Sequence, residues 1–144
     1  MIALDTNMLV YAHRVDLPWH EHALSVVDAA LAGPEEVALC WPVVHEFLAV
    51  VTNARVFVEP TPAQLAFDQT EHWLASPRAV LPTETRQHLP TLRRLVERGR
   101  AFGGALHDAR IAAICLDNGV RELWTADRDF SRFPELTVRN PLIA

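Results

Sequence analysis

Four acidic residues are spaced so that their carboxylates would form one site: Asp5, Glu46, Asp108 and Asp127. Asp5 directly follows the short apolar segment 2–4, and Asp127 directly follows the apolar segment 122–125. If both segments are parallel strands, these aspartates lie at the carboxyl ends of strands, where α/β sheets bind their ligands. Asp5 taken alone is ambiguous, because an aspartate is equally suited to cap the helix that follows it.

Glu46 and Asp108 are predicted on helices whose neighbouring positions, three and four residues away, are mostly apolar. A carboxylate on a buried apolar surface is unfavourable unless it is paired, hydrogen-bonded or bound to a metal. An arginine in the core is the alternative explanation for Glu46, and the helix dipole is the alternative for Asp108. We expect both acids to serve a site rather than a surface.

Carboxylates that converge repel one another, which raises their pKa values unless a cation binds between them. Carboxylate and water ligands favour Mg²⁺ or Mn²⁺ over zinc. Such a site suits hydrolysis of a phosphodiester, because the metal activates a water and stabilises charge on the phosphate. Asp129 is left open between a second acidic contributor and the cap of a short helical turn.

The elements that position these acids alternate between strand and helix periods. This alternation predicts a parallel sheet covered by helices on both faces, in a single domain spanning residues 1–144. The helix over 43–53 is apolar nearly all round and is expected to be buried. Thr61 and Thr83 are expected to cap the helices that follow them. The expected strands are 2–4, 37–40, 78–81, 122–125 and 136–139, and the expected helices are 6–13, 19–31, 43–53, 62–75, one through 88–96, and 105–118.

The composition excludes several classes of protein. The chain has 144 residues, a formal net charge of −5 and no lysine, because all 13 basic residues are arginine. P-loop and Schiff-base mechanisms, which need a lysine, are therefore excluded. No apolar run approaches the ~18 residues that span a membrane, and no secretory signal is present, so we expect a cytoplasmic protein. Cys40 and Cys115 are expected to be buried free thiols.

Four ordered motifs resemble those of the PIN-domain ribonucleases, specifically the VapC-type toxins of toxin–antitoxin pairs and the branch abundant in mycobacteria. A single Asp-Thr-Asn is a weak indication, but four motifs in this order are a strong one. The motifs are Asp5-Thr6-Asn7, Trp41-Pro42 leading to Glu46-Phe47-Leu48, His107-Asp108-Ala109, and Thr125-Ala126-Asp127-Arg128-Asp129-Phe130 with the ending Arg139-Asn140-Pro141-Leu142.

The resemblance implies a three-layer α/β/α fold with a central, mainly parallel sheet of four to five strands. It implies that Asp5, Glu46, Asp108 and Asp127 form a catalytic acidic quartet. Asp5, Asp108 and Asp127 would hold the metal, and Glu46 would help a second metal or orient the attacking water. The side chains that would fix the carboxylates by hydrogen bonds are Thr6, Asn7, Thr125 and Asp129.

The resemblance also implies an endoribonuclease toxin that cuts single-stranded or loop RNA, often tRNA or ribosomal RNA. A small VapB-like antitoxin would neutralise it, and homodimers would be common. A catalytically silent PIN-like module that binds RNA or antitoxin remains the alternative. A haloacid-dehalogenase-like phosphatase also begins with an aspartate after the first strand, but it needs a second acid where this chain has Asn7, and a lysine.

Other polar and aromatic residues are expected to play smaller roles. His45 and His107 each precede an acid of the quartet and are expected to support the site or contact the core, since adjacent helix positions face different ways. One basic run predicts a solvated helix face, with an RNA phosphate track as the alternative; it consists of Arg93, Arg94, Arg98 and Arg100. The four tryptophans are too scattered to predict a stacking platform; they are Trp19, Trp41, Trp73 and Trp124.

Overall fold

The central sheet has five parallel strands. A computed structural model describes residues 1–143 of the chain. The strands, in chain order, are β1 (Ile2–Leu4), β2 (Val37–Ala38), β3 (Ala79–Val80), β4 (Glu122–Trp124) and β5 (Val138–Arg139). In space they are ordered β3-β2-β1-β4-β5, and every neighbouring pair is parallel. The predicted sheet of four to five strands is confirmed.

Six helices connect the strands and form the two outer layers of a three-layer α/β/α fold, as predicted. The chain runs from β1 to β3 in one direction across the sheet and then returns past β1 to β4 and β5. Right-handed crossovers place the helices of these two halves on opposite faces of the sheet. The helices are α1 (Thr6–His13), α2 (His20–Ala32), α3 (Trp41–Val51), α4 (Ala63–Leu74), α5 (His88–Gly99) and α6 (Ala105–Asp117), with a 3₁₀ turn at Arg128–Arg132.

The strand order reverses between β1 and β4, which lie side by side in the middle of the sheet. Leu4 is paired with Trp124 in the parallel register, and the backbone N–H of Asp5 donates to the carbonyl of Trp124 at 3.0 Å. A reversal of this kind opens a crevice beyond the carboxyl ends of the two strands. The residues that follow β1 and β4 are therefore brought together, although about 120 positions separate them in the sequence.

The core fixes the helices against the sheet. Ala3, Leu4 and Leu123 have no exposed surface, as expected for strands covered on both faces. On α3, Phe47 packs edge-on against Trp73 of α4 with ring centroids 4.9 Å apart. Both predicted free thiols, Cys40 and Cys115, are buried. Within residues 1–143, no helix has the length and apolar character needed to cross a membrane.

Several predicted element boundaries were wrong. The second, third and fifth strands are two residues long rather than four. The second strand is short because Cys40 is already the N-cap of α3. Thr61 does not cap α4: its side chain lies 3.0 Å from the ring of His13 instead. Thr83 does not cap α5, which begins only at His88, and its hydroxyl donates to Glu84.

Candidate active site

Asp5 combines the two roles that its position in the sequence left open. It is the N-cap of α1, and its Oδ1 accepts a hydrogen bond from the backbone N–H of Thr6 at 2.8 Å. Its side chain also faces a cavity of about 220 Å³ beyond the carboxyl ends of β1 and β4. Only 5% of Asp5 is exposed, so its carboxylate is a buried charge at the base of that cavity.

The second oxygen of Asp5 is held by a network that joins the turn after β1 to the turn after β4. The hydroxyl of Thr125 donates to Asp5 Oδ2 at 2.7 Å, and Asn7 Nδ2 donates to the same oxygen at 3.2 Å. Asn7 Nδ2 also donates to Thr125 Oγ1 at 2.9 Å, while Asn7 Oδ1 accepts from the N–H of Ala126 at 3.0 Å. The carboxylate is therefore locked in one orientation.

All four acids of the predicted quartet line this cavity. A carboxylate oxygen from each of Asp108, Asp127 and Asp129 lies within 4.8 Å of the other two, so these three side chains could share one cation. Asp127 Oδ1 accepts a hydrogen bond from the N–H of Asp129 at 2.8 Å. Asp127 thereby caps the 3₁₀ turn in which Asp129 lies. Asp129 thus lies among the acids that could hold a metal, one of the two roles that the residues left open for it, whereas the family resemblance implied a supporting position.

Burial and mutual repulsion raise two of the carboxyl pKa values. The pKa of Asp5 rises to about 6 because burial removes its hydration, and Glu46 and Asp108 add repulsion, although hydrogen bonds from Thr125 and Thr6 oppose the shift. The pKa of Asp108 also rises to about 6, through burial first and then through the negative charges of Asp127, Glu46 and Asp129. A bound cation would relieve this repulsion.

Glu46 occupies a different environment from the one predicted for it. The buried face of α3 consists of Val43, Val44, Phe47 and Val51, whereas Glu46 is exposed. The expectation that this helix is buried all round was therefore wrong. The apolar neighbours of Glu46 include Val50, which packs against the core and also lines the wall of the acidic cavity. An apolar surface around an acid marks a cavity wall as readily as a core.

No sequence pattern indicated a role for Arg132, and His45 and His107 do not take the core position that was one of the two expected for them. Arg132 on the 3₁₀ turn offsets part of the repulsion on Asp108 and holds its pKa lower. Its NH1 donates to the carbonyl of Arg100 at 3.3 Å, a contact between residues 32 positions apart that no local pattern indicates. His45 and His107 are exposed and line a second cavity, so neither is a core residue.

The basic run of α5 lies on a solvated face, away from the acids. Arg93 pairs with Glu97 at 2.8 Å, and Arg94 and Arg98 both pair with Glu135. None of these arginines lines the acidic cavity, and exposed pairs of this kind contribute little stability. The solvated face that the sequence predicted is therefore present, and an RNA phosphate track along it stays the alternative.

The chain resembles proteins of one family along nearly its whole length. The family model described as the PIN domain matches residues 2–136. Ribonuclease VapC43 of Mycobacterium tuberculosis is 38% identical over 142 residues, which cover 99% of this chain and 96% of the relative. Two solved structures have the same fold, each with a TM-score of 0.68.

The first solved structure is VapBC2 from Rickettsia felis bound to a DNA fragment from its promoter, with 19% identity over 97% of this chain and 98% of the other. The second is VapC20 of Mycobacterium tuberculosis, named a sarcin–ricin loop cleaving toxin, with 16% identity over 91% and 93%. At such low identity these structures show the fold alone. The family model and VapC43 place the sequence directly: this chain belongs to the PIN-domain family.

Proposed function

We propose that this protein is an endoribonuclease toxin of a toxin–antitoxin pair, which hydrolyses RNA phosphodiester bonds at the acidic cavity. The observation that carries the proposal is the group of carboxylates from Asp5, Glu46, Asp108 and Asp127 around one cavity. It occurs in a chain that is 38% identical, over 99% of its length, to a protein named a ribonuclease. The overall charge of −5 does not oppose this role, since bound cations neutralise carboxylates that hold them.

The residues of the cavity fit a hard divalent cation, Mg²⁺ or Mn²⁺. Every charged group that lines it is a carboxylate, and no thiol or imidazole in residues 1–143 lies among its lining residues. The Thr6 hydroxyl is buried beside Asp5 and has no hydrogen-bond partner within the same residues, which leaves one unsatisfied polar atom at the base of the cavity. Oxygen-only sites of this kind suit Mg²⁺ and Mn²⁺.

Asp5, Asp108 and Asp127 would hold the cation, and the closeness of Asp129 to the last two makes it a further candidate. When bound, the cation lowers the pKa of a water and stabilises negative charge on the attacked phosphate. Thr6, Asn7 and Thr125 would keep the Asp5 carboxylate in a fixed orientation through their hydrogen bonds. Glu46, exposed on the facing helix α3, would orient the attacking water or help a second cation.

The partners that we propose follow from the family. RNA with single-stranded loops, such as tRNA or ribosomal RNA, is the substrate class, and a VapB-like antitoxin is the inhibitor, as in the solved VapBC complexes. We also propose a homodimer, the arrangement common in this family. A toxin of this kind would act in the cytoplasm, where its RNA substrates are found.

Cleavage of RNA by the parent protein and an Asp5→Asn variant tests the proposal. Total RNA is incubated with each protein in millimolar Mg²⁺ or Mn²⁺ and again in EDTA. We expect the parent to cut only with metal, and Asp5→Asn to lose at least about 100-fold in rate, because a hydrogen-bonded carboxylate that holds a metal has been neutralised. Asp28→Asn, which removes an exposed carboxylate of α2, is the matched control and should cut as the parent does.

Equal cleavage by the parent and Asp5→Asn would refute the mechanism. A thermal-shift measurement separates the remaining outcomes, because a metal that binds only the folded state stabilises it by about 2.7 kcal/mol at 100 times its Kd. An unchanged melting temperature would refute the metal site. Metal binding without any cleavage would instead indicate a silent module that binds RNA or antitoxin.

A further inference from the structure

A second cavity of about 390 Å³ adjoins the acidic cavity and shares two of its walls. Glu46 of α3 and Asp108 of α6 line both cavities. The other polar side chains of the second cavity are His45 on α3, and His107 and Arg110 on α6. A ligand that occupied both cavities would therefore pass between α3 and α6, with one part at the acids and the next part among the imidazoles.

The aromatic side chains at and beside this second cavity are exposed to solvent rather than packed in the core. His45 and His107 are both exposed, one on each helix. Trp41 is 40% exposed in the first turn of α3, and its ring centroid lies 6.2 Å from that of His45 at an interplanar angle of 53°. Planar rings from two helices thus border one space while remaining accessible to solvent.

The cavity also offers hydrogen-bond donors in a fixed position. The Arg110 guanidinium is held by Glu84 through its Nε and NH2 atoms, so its orientation is set by an ion pair. A guanidinium has five N–H donors, and those not directed at Glu84 remain for a ligand in the cavity. Because Glu84 balances its charge, Arg110 would recognise a neutral acceptor such as a base carbonyl as well as a phosphate.

The geometry points to a base-binding subsite for the nucleotide next to the phosphate that is cut. The unpaired base enters the second cavity, stacks on the rings of His45 and His107 that line it, and accepts a hydrogen bond from Arg110. Trp41 does not line the cavity and acts through its contact with the His45 ring. Proteins that read single-stranded RNA stack its bases on aromatic and histidine rings in this way. The cavity volume is within the lower range of small-ligand pockets, which suits one base rather than a longer stack.

This inference rests on the proposed function, because the ligand is the RNA that the acidic site would cut. It adds a requirement that the acids alone do not impose. A base held by its face must be unpaired, so the substrate needs a single-stranded nucleotide beside the cleaved bond. The acidic walls repel phosphate, and base stacking provides the attraction that the quartet lacks in the absence of metal.

Binding of two strands that differ only in their bases tests the subsite. A short single-stranded oligouridylate and an abasic ribose-phosphate strand of the same length are titrated against each protein in EDTA, which prevents cleavage. Both strands carry the same phosphates, so repulsion from the acids cancels in the ratio of the two Kd values. We expect the parent to prefer the oligouridylate, and Trp41→Ala and His45→Ala each to reduce that preference about 5- to 150-fold.

Matched controls separate the subsite from general effects on folding. Trp19 is 42% exposed and, unlike Trp41, has no ring contact with His45 among the described residues, so Trp19→Ala should keep the parent's preference. His22→Ala on the exposed face of α2 should keep it as well, because His22 lines neither cavity. Trp41→Phe, which retains a planar ring, should restore most of what Trp41→Ala loses. If Trp41→Ala does not fold, His45→Ala carries the same test, because this histidine is exposed.

A parent protein without any preference for the oligouridylate would overturn the inference. An undiminished preference in both Trp41→Ala and His45→Ala would also overturn it. If those two variants then failed to bind antitoxin, the second cavity would be a binding site for an antitoxin peptide. The cleavage assay is independent of this measurement. A preference for the oligouridylate without RNA cleavage would refute the proposed function and support the base-binding subsite. RNA cleavage without that preference would support the proposed function and refute the subsite.

Discussion

The buried carboxylate of Asp5 should make the metal-free protein less stable as pH rises. Its pKa is about 6 in the folded protein and 3.8 in the unfolded chain, because burial disfavours the charged form. Between these values the folded state binds more protons than the unfolded state, so the free energy of unfolding falls as pH increases. A shift of about two pKa units corresponds to about 3 kcal/mol, present below the unfolded pKa and lost once pH exceeds 6.

Denaturation of the parent and Asp5→Asn in EDTA, at pH 4 and at pH 7.5, measures this contribution. An asparagine does not titrate, so the change in unfolding free energy between the two pH values lacks the Asp5 term, whatever the starting stability of the variant. We expect the parent to lose about 2–3 kcal/mol more than Asp5→Asn over this range. Groups that do not interact with Asp5 titrate alike in both proteins and cancel in the comparison, and the repulsion that Asp5 shares with Glu46 and Asp108 is part of the measured difference.

Asp16→Asn provides the control for the sign of the effect. A hydrogen bond from Arg14 lowers the pKa of Asp16 from its ordinary value, the opposite direction to the shift of Asp5, so Asp16→Asn should not reduce the parent's loss of stability as pH rises. Millimolar Mg²⁺ or Mn²⁺ at pH 7.5 should restore stability to the parent more than to Asp5→Asn. Equal pH dependence in the parent and Asp5→Asn would refute the reasoning, because burial would then not raise the pKa of Asp5.

Three substitutions test other parts of the fold, each by urea denaturation. Thr125→Val should cost about 2–4 kcal/mol and raise the pKa of Asp5 further, because a buried hydroxyl that both donates and accepts is lost. Gly104→Ala should raise the free energy of unfolding by about 0.4–1 kcal/mol, since the backbone of residue 104 is helical (φ −59°) and the added Cβ meets no atom within 4 Å. Phe47→Ala should cost about 3–5 kcal/mol by opening a cavity between α3 and α4.

Each of these substitutions has its own control. Thr125→Ser keeps the hydroxyl and should retain most of the stability that Thr125→Val loses. Gly119→Ala should destabilise by about 1 kcal/mol, because φ is +73° there and a side chain is strained in that conformation. Phe67→Ala removes a ring that is 55% exposed and should change stability little. A loss for Gly104→Ala, or a small effect for Phe47→Ala, would contradict the packing described for those sites.

Much of the fold was predictable because the determining patterns are local. Alternating strand and helix periods indicated a parallel sheet with helices on both faces, and the structure has that architecture. The rule that ligands bind beyond the carboxyl ends of strands singled out Asp5 and Asp127, which both line the acidic cavity. The assignment of individual metal ligands, and the description of the chain as one domain, stay predictions.

The local patterns failed where two tertiary surfaces are both apolar. On α3 the sequence does not distinguish residues that only meet the core from those, such as Val50, that also line a cavity, so Glu46 was expected on a buried face. The cap expected at Thr61 failed because its side chain lies against His13, which is 48 positions away. The cap expected at Thr83 failed for a local reason, because α5 begins only at His88 and the Thr83 hydroxyl donates to the adjacent Glu84.

By itself, the sequence singled out four carboxylates that line the acidic cavity, because each follows a strand or lies on a helix whose neighbours are apolar. Only the tertiary structure decided how they meet. The pairing of β1 with β4 brings Asp5 to Thr125, and the 3₁₀ turn brings Asp129 to Asp108 and Asp127. These contacts join residues that are distant in the chain, so they depend on strand order, and no periodicity along the sequence encodes that order.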